Sequence, residues 1–169
     1  MADFAPALDY VLNFEDSQRS YASNPDCGGF AIAGINSKSW PTEYANIDAT
    51  PQAQRAPAVA AFYESNFWTP LNIGSVASQD VANRVLDMSV NAGPRTGTRL
   101  LQQAANTLGC TLTVDGVLGP ASLAAINAID PTALLSAYRA ARVAHYQAIV
   151  ADTPSSQKYL AVWLQRAQA

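Results

Sequence analysis

From Ser78 onward the sequence is a succession of apolar stripes of helical period, each fenced by glycine or proline, and a packed set of helices is what such a pattern builds. Ser78 suits an N-cap. The helix behind it carries Val81, Val85, Leu86, Met88 and Val90, apolar on more than one side, so it is expected in the middle of the core. Gly93-Pro94 ends it. Leu100, Leu101, Ala104, Ala105 and Leu108 form the next stripe, closed by Gly109 just past the helix end. Asp115-Gly116 marks a tight turn, followed by a short helix through Leu123 and Ile126. Asp130-Pro131 is a cap with proline in the first helical position. It opens a long helix with Leu134, Leu135, Tyr138, Ala141, His145 and Ile149 on one broad face. Pro154-Ser155-Ser156 sets off a last helix with Leu160, Trp163 and Leu164.

The front of the chain is less uniform. Residues 3–15 read as an amphipathic helix, with Phe4, Leu8, Val11 and Leu12 at i, i+4, i+7 and i+8. The same stripe, about three turns on, reaches Glu15. Residues 16–50 are polar and rich in Asn, Asp, Ser and Gly, with Asn24-Pro25 and Gly28-Gly29 as turn signals and a weak extended pattern over Phe30–Ile35. Pro57 lies near the start of a helix that ends around Phe67-Trp68. The expected fold is mainly α and lysozyme-like: about seven helices with one short polar, partly extended insertion near the N-terminus. Residues 1–75 are expected to form one lobe and 76–169 a second, packed as one globular unit.

Composition removes several classes of function. The 169 residues are 49% hydrophobic and 14% charged, enough apolar material for a core, so the chain is not intrinsically disordered. The net charge is -3 with no Lys/Arg block, which argues against nucleic acid or an anionic membrane surface as partner. No stretch of 18 apolar residues occurs. The first residues, MADFAPALDYVLNFED, are acidic and broken by Pro6, unlike a signal peptide, so synthesis in the cytoplasm is expected. Cys27 and Cys110 are too few for a disulfide scaffold and are expected as free thiols. With one histidine and no ligand spacing, no metal site is expected. Neither a phosphate-binding loop nor a dinucleotide fingerprint occurs, so no cofactor is expected; a Gly-x-Ser-x-Gly elbow is also missing.

Glu15 is the leading candidate for chemistry. Cleavage of a glycosidic bond needs a carboxylic acid that can hand a proton to the leaving oxygen. Apolar surroundings and the negative end of a helix dipole both favour the neutral form of a carboxyl. A residue that closes an apolar helix face at its C-terminus has both, although a helix-terminal Glu facing solvent is the plain alternative. Asp26, Asp16 and Glu43 are candidates for a second carboxylate. Asp26 is preferred because it lies in the polar segment beside glycines that let backbone approach a ligand. Trp40, Tyr44, Tyr63 and Trp68 are candidate sugar-stacking aromatics, with Tyr63 and Trp68 better suited to the core. Asn36 and Asn91 are candidate partners for N-acetyl groups, and His145 reads as a core histidine.

The sequence resembles the N-acetylmuramidases of glycoside hydrolase family 108, whose N-terminal part is a helix ending in Glu-Gly-Gly-Tyr, then an Asn/Asp/Pro segment, then Gly-Gly-x-Thr-x-x-Gly-Ile-Thr. Here Phe14-Glu15-Asp16-Ser17 is followed by Tyr21 and by Asn24-Pro25-Asp26-Cys27-Gly28-Gly29-Phe30-Ala31-Ile32-Ala33-Gly34-Ile35-Asn36. YESNFWTPL (63–71) is similar to that family's Tyr-x-x-x-Tyr-Trp-x-x-Leu stretch. LDMSVNAG (86–93), Leu100 to Gln103 and VDGVLGP (114–120) are similar to its associated peptidoglycan-binding region, and Trp163-Leu164-Gln165-Arg166 to its Trp-Leu-x-Arg ending.

The resemblance implies hydrolysis of the β-1,4 bond between N-acetylmuramic acid and N-acetylglucosamine. The family's Glu maps onto Glu15 as the acid; with the residue reading above, Asp26 is the expected second catalytic group and Tyr21, Asn36, Trp40 and Asn91 the expected substrate contacts. It implies peptidoglycan as partner, a monomer, and delivery to the wall by a holin or a secretion system. Two departures stand out. The family glycines after Glu are Asp16 and Ser17, and the family threonines fall on Ala31 and Asn36. If the first threonine positions the attacking water, Ala31 cannot: either Asp26 or Asn36 takes that role, the stereochemical course differs, or activity is reduced. One rival reading is a peptidoglycan-binding protein that has lost catalysis; a second is a helical adaptor or immunity-type protein with no glycan ligand.

Overall fold

A computed structural model describes residues 1–26 and 28–169. Helix α1 (Phe4–Glu15) buries Ala7, Val11 and Leu12, with Phe4 and Leu8 packed at the margin of the core. Three antiparallel strands follow in the order β1 (Ser23–Asp26), β2 (Gly29–Ile32) and β3 (Ile35–Asn36). Ile32 pairs with Ile35 across a two-residue turn, and both are fully buried on the inner face. The extended pattern over Phe30–Ile35 is thus a hairpin, and β1 adds a third strand whose Asn-Pro-Asp sequence has no strand propensity of its own.

Helix α2 (Pro41–Asp48) lies inside the segment expected to be polar and extended. It buries only Ile47, a stripe too short to register as period; its local signal is Pro41 at the first helical position. Helix α3 (Ala56–Tyr63) runs on through a π-helical turn, Glu64–Trp68, closed by Thr69 N–H on the Glu64 carbonyl at 2.9 Å.

Helix α4 (Gln79–Ala92) begins at Ser78, whose hydroxyl accepts from Val81 N–H. Val81, Ala82, Val85, Leu86 and Met88 have no exposed surface. Burying each of the larger of these side chains contributes about 1.5–3 kcal/mol. α4 packs on α1 and on α5 (Pro94–Thr107), and α5 also packs on the long helix α7 (Pro131–Asp152). α5 starts well before its apolar stripe because Pro94 is preset for the first turn. A Cβ on Gly97 would lie 2.3 Å from Ser89 Oγ and 2.6 Å from the Val85 carbonyl, so α4 and α5 approach this closely only at glycine. Helices α6 (Pro120–Asn127) and α8 (Leu160–Gln168) complete the chain.

Among the described residues no helix is long and apolar enough to cross a membrane. Among the described residues no cluster of His, Cys, Asp or Glu is arranged to hold a metal ion. Cys110 is in no disulfide among the described residues, and Cys27 lies outside them. His145 departs from expectation: it is half-buried at a groove with Thr96, Arg99, Gln103 and Ala141, and not in the core. Desolvation there pushes its imidazole below the usual histidine range. Beyond Tyr138 the buried face of α7 falls one residue later than the stripe implies, so Arg142 and Tyr146 are buried in place of Ala141 and His145.

Candidate active site

Glu15 is the last residue of α1, and a shallow polar pocket opens beside it, lined also by Asp16, Asn24, Pro25, Asp26, Ala31, Ala33 and Gly34. Three carboxylates share this pocket, but they are held differently. Asp16 secures the chain leaving α1: its Oδ1 accepts from Ser20 N–H at 3.0 Å and its Oδ2 from Tyr21 N–H at 2.6 Å. Arg19 and Tyr21 in this loop have left-handed backbone, φ 52 and 50, a conformation that costs non-glycine residues about 1–2 kcal/mol each. The Asp16 bonds and the Arg55 guanidinium on the Tyr21 carbonyl at 3.0 Å offset that cost. Asp26 sits on β1, and Asn36 Nδ2 donates to its Oδ2 at 2.8 Å across the sheet.

The sheet face toward the pocket is set by register. Asn24 pairs with Ala31, and Ala31 with Asn36, so these three form one row with the small Ala31 at its middle. Side chains two apart on a strand share a face, which puts Asp26 on the same side as Asn24.

The far wall is the turn Ala33-Gly34, with φ 46 and 80, the two-residue geometry that suits a twisted hairpin. Ala33 is an unusual residue for that position. Its carbonyl is fixed by the Tyr63 hydroxyl at 2.6 Å, and Tyr63 is 1% exposed. Burial, reinforced by the nearby Glu15 charge, raises the Tyr63 phenol far above its ordinary range, so it acts only as a neutral donor. A Cβ on Gly34 would lie 2.7 Å from Glu15 Oε2 and 2.9 Å from the Tyr63 hydroxyl. Glycine is therefore required twice over, for the backbone and for the room given to the carboxyl.

The dry carboxyl expected on the apolar stripe is corrected by a cation. The Glu15 side chain is 20% exposed, and Arg166 of α8 donates to its Oε1 at 2.7 Å. Arg166 also contacts Asp87 Oδ1, which is fully buried on α4, and lies 4.8 Å over the Phe14 ring. Burial alone would push the Arg166 guanidinium down, but Asp87 and then Glu15 more than reverse this and hold it above its ordinary value.

Of the other residues singled out in the sequence, Asn36 joins the site through Asp26, and its Oδ1 accepts from Lys38 N–H at 2.8 Å. Glu43 lines a separate hollow with Asn46, Phe62 and Asn66. Trp40 packs edge-on against Phe62 and Phe67, at 5.0 and 6.0 Å between centroids. Trp68 is 8% exposed and packs on Phe4, and the Tyr44 hydroxyl meets Ser23 Oγ at 2.6 Å. Asn91 is exposed on α4 and accepts from the Tyr146 hydroxyl at 2.7 Å. Tyr21, Trp40 and Asn91 do not line the Glu15 pocket. Sequence reasoning passed over Asp87, although a carboxylate beside Leu86 and Met88 in the most apolar helix is the same kind of signal that drew attention to Glu15.

The sequence profile of the family described as glycosyl hydrolase 108 matches residues 8–93, and that of a predicted peptidoglycan domain matches residues 96–168. The two matches meet at the junction of α4 and α5. Among solved structures, Brucella abortus SagA is similar in fold, with a TM-score of 0.65 at 21% identity over 98% of this chain and 93% of that one. Among curated proteins none matches the sequence.

Proposed function

The chain belongs to glycosyl hydrolase family 108 and is a lysozyme-like glycoside hydrolase of peptidoglycan; on that premise we propose that it cleaves the β-1,4 bond between N-acetylmuramic acid and N-acetylglucosamine, with Glu15 as general acid. The observation that carries this is the setting of the Glu15 carboxyl. One oxygen is engaged by Arg166, while the other faces a glycine turn in a pocket that also holds Asp26.

In this reading the scissile sugar lies over the Asn24–Ala31–Asn36 row. Glu15 gives a proton to the glycosidic oxygen as the bond to the sugar breaks, and positive charge spreads over the sugar ring. Asp26, oriented by Asn36, stabilises that charge or aligns water on the opposite face. Bacteriolysis, and delivery to the wall by a holin or a secretion system, belong to the same proposal.

The test is mass analysis of products from purified sacculi. Wild-type protein is expected to release fragments ending in reducing muramic acid, and Glu15→Gln to release none while still sedimenting with sacculi. A Glu15→Gln variant as active as wild type overturns the assignment of the acid. Anhydromuramic products overturn the hydrolytic reading, and a wild-type protein that binds sacculi without releasing products supports the rival that has lost catalysis.

A further inference from the structure

Four charged side chains of alternating sign run from the pocket into the interior. Glu15 Oε1 accepts from Arg166, and Arg166 holds Asp87 Oδ1 through Nε at 2.9 Å and a terminal nitrogen at 2.7 Å. Asp87 Oδ2 accepts from Arg142 at 2.5 Å, and Arg142 also donates to the Arg166 backbone carbonyl at 3.0 Å. Exposure falls inward: 20% for Glu15, 10% for Arg166, and none for Asp87 or Arg142. Glu15 and Asp87 lie in the stretch matched by the hydrolase profile, Arg166 and Arg142 in the stretch matched by the peptidoglycan-domain profile.

We infer that Arg166 is a positioning residue for Glu15, so that the peptidoglycan-domain half of the chain completes the hydrolase site in addition to any role in holding the wall. The inference rests on the proposed role of Glu15.

Stability alone does not call for such a chain, because desolvating each ion costs several kcal/mol and well-packed apolar residues often serve a core as well or better. What the chain supplies is fixed geometry. A glutamate at a helix end has three rotatable side-chain bonds, and the planar Arg166 fork, itself clamped by Asp87 and by Arg142 on its main chain, removes that freedom. With Oε1 engaged, Oε2 on the Gly34 side is the oxygen that carries the transferable proton. In the acid step the Oε2–H bond breaks as the leaving oxygen takes the proton and the electron pair of the broken glycosidic bond. Glu15 is left as a carboxylate already facing its cation.

The experiment compares Arg166→Gln and Arg166→Lys with wild type on soluble glycan strands. Arg166→Gln is expected to lower kcat about a hundredfold, the scale of an ångström-sized misplacement, with KM unchanged. Arg166→Lys, which restores the charge without the planar fork, is expected to recover part of the loss. An unchanged kcat in both variants, or a loss confined to KM, overturns the inference.

A double-mutant cycle on melting temperature, combining Glu15→Gln with Arg166→Lys, decides the matter if Arg166→Gln does not fold. Losses that fail to add support the pair, and losses that add overturn it. The cycle needs no turnover, so a wild type that releases no reducing ends refutes the proposed function separately.

Discussion

Ala31 occupies the middle of the pocket row, and its methyl group leaves the space between Asn24 and Asn36 without a hydroxyl. Threonine stands there in the family that this sequence resembles. Substituting Ala31→Thr is expected to raise kcat several-fold on sacculi, because a hydroxyl in that row can bond the attacking water. A kcat equal to wild type's would assign water alignment to Asp26 and Asn36 alone. At this scale the sequence was legible where a residue broke its own pattern. Glu15 stood out because it ended an apolar stripe. Arg166 belonged to a quoted motif, but no spacing rule links positions 15 and 166, and the partner of a charge is set by tertiary packing. Gly34 was read only as part of the extended stretch 30–35 and of a quoted motif, since the carboxyl that its missing Cβ accommodates comes from another element.

Helices were readable wherever an apolar period ran for three turns, as in α1, α4 and α7. α2 was lost: Ile47 alone is covered there, and the rest of the helix is polar or exposed like the segment around it. Element boundaries depended on polar side chains whose work is long-range. On α5, Thr98 and Gln102 both reach the 115–117 turn. Thr98 Oγ1 donates to the Gly116 carbonyl at 2.8 Å. Gln102 donates to Asp115 Oδ1 at 2.9 Å and to the Val117 carbonyl at 3.1 Å, and accepts from Gly116 N–H at 2.8 Å. Gln102→Ala would leave the buried Gly116 N–H unpaired, and a loss of about 1–3 kcal/mol is expected by urea denaturation. The effect has a pH signature. Gln102, then Val117 N–H, holds the Asp115 carboxyl below its ordinary value. That contribution is complete above the unfolded carboxyl's range and disappears as pH falls through the folded value, so the gap between variant and wild type narrows on acidification. A gap that widens in acid would refute the assignment.

For the whole molecule, Asp87 is the fully buried carboxylate in the charged link between the two halves, with Arg142 on one oxygen and Arg166 on the other. Asp87→Asn leaves two arginines facing a neutral amide in the interior. A destabilisation of about 3–5 kcal/mol is expected, the scale of breaking a buried pair, measured by chemical denaturation. A change below about 1 kcal/mol would show that the charges are better hydrated than their burial indicates.

The Glu15–Arg166 contact spans 151 positions of sequence. During synthesis the ribosome delivers α1, the sheet and α4 long before α8, so a growing chain holds the Glu15 carboxyl without the Arg166 guanidinium. Contacts this distant in sequence form only after the intervening loop has been closed. The order of translation thus sets an order of assembly: the Glu15 carboxyl meets its guanidinium only once α8 has been made and packed.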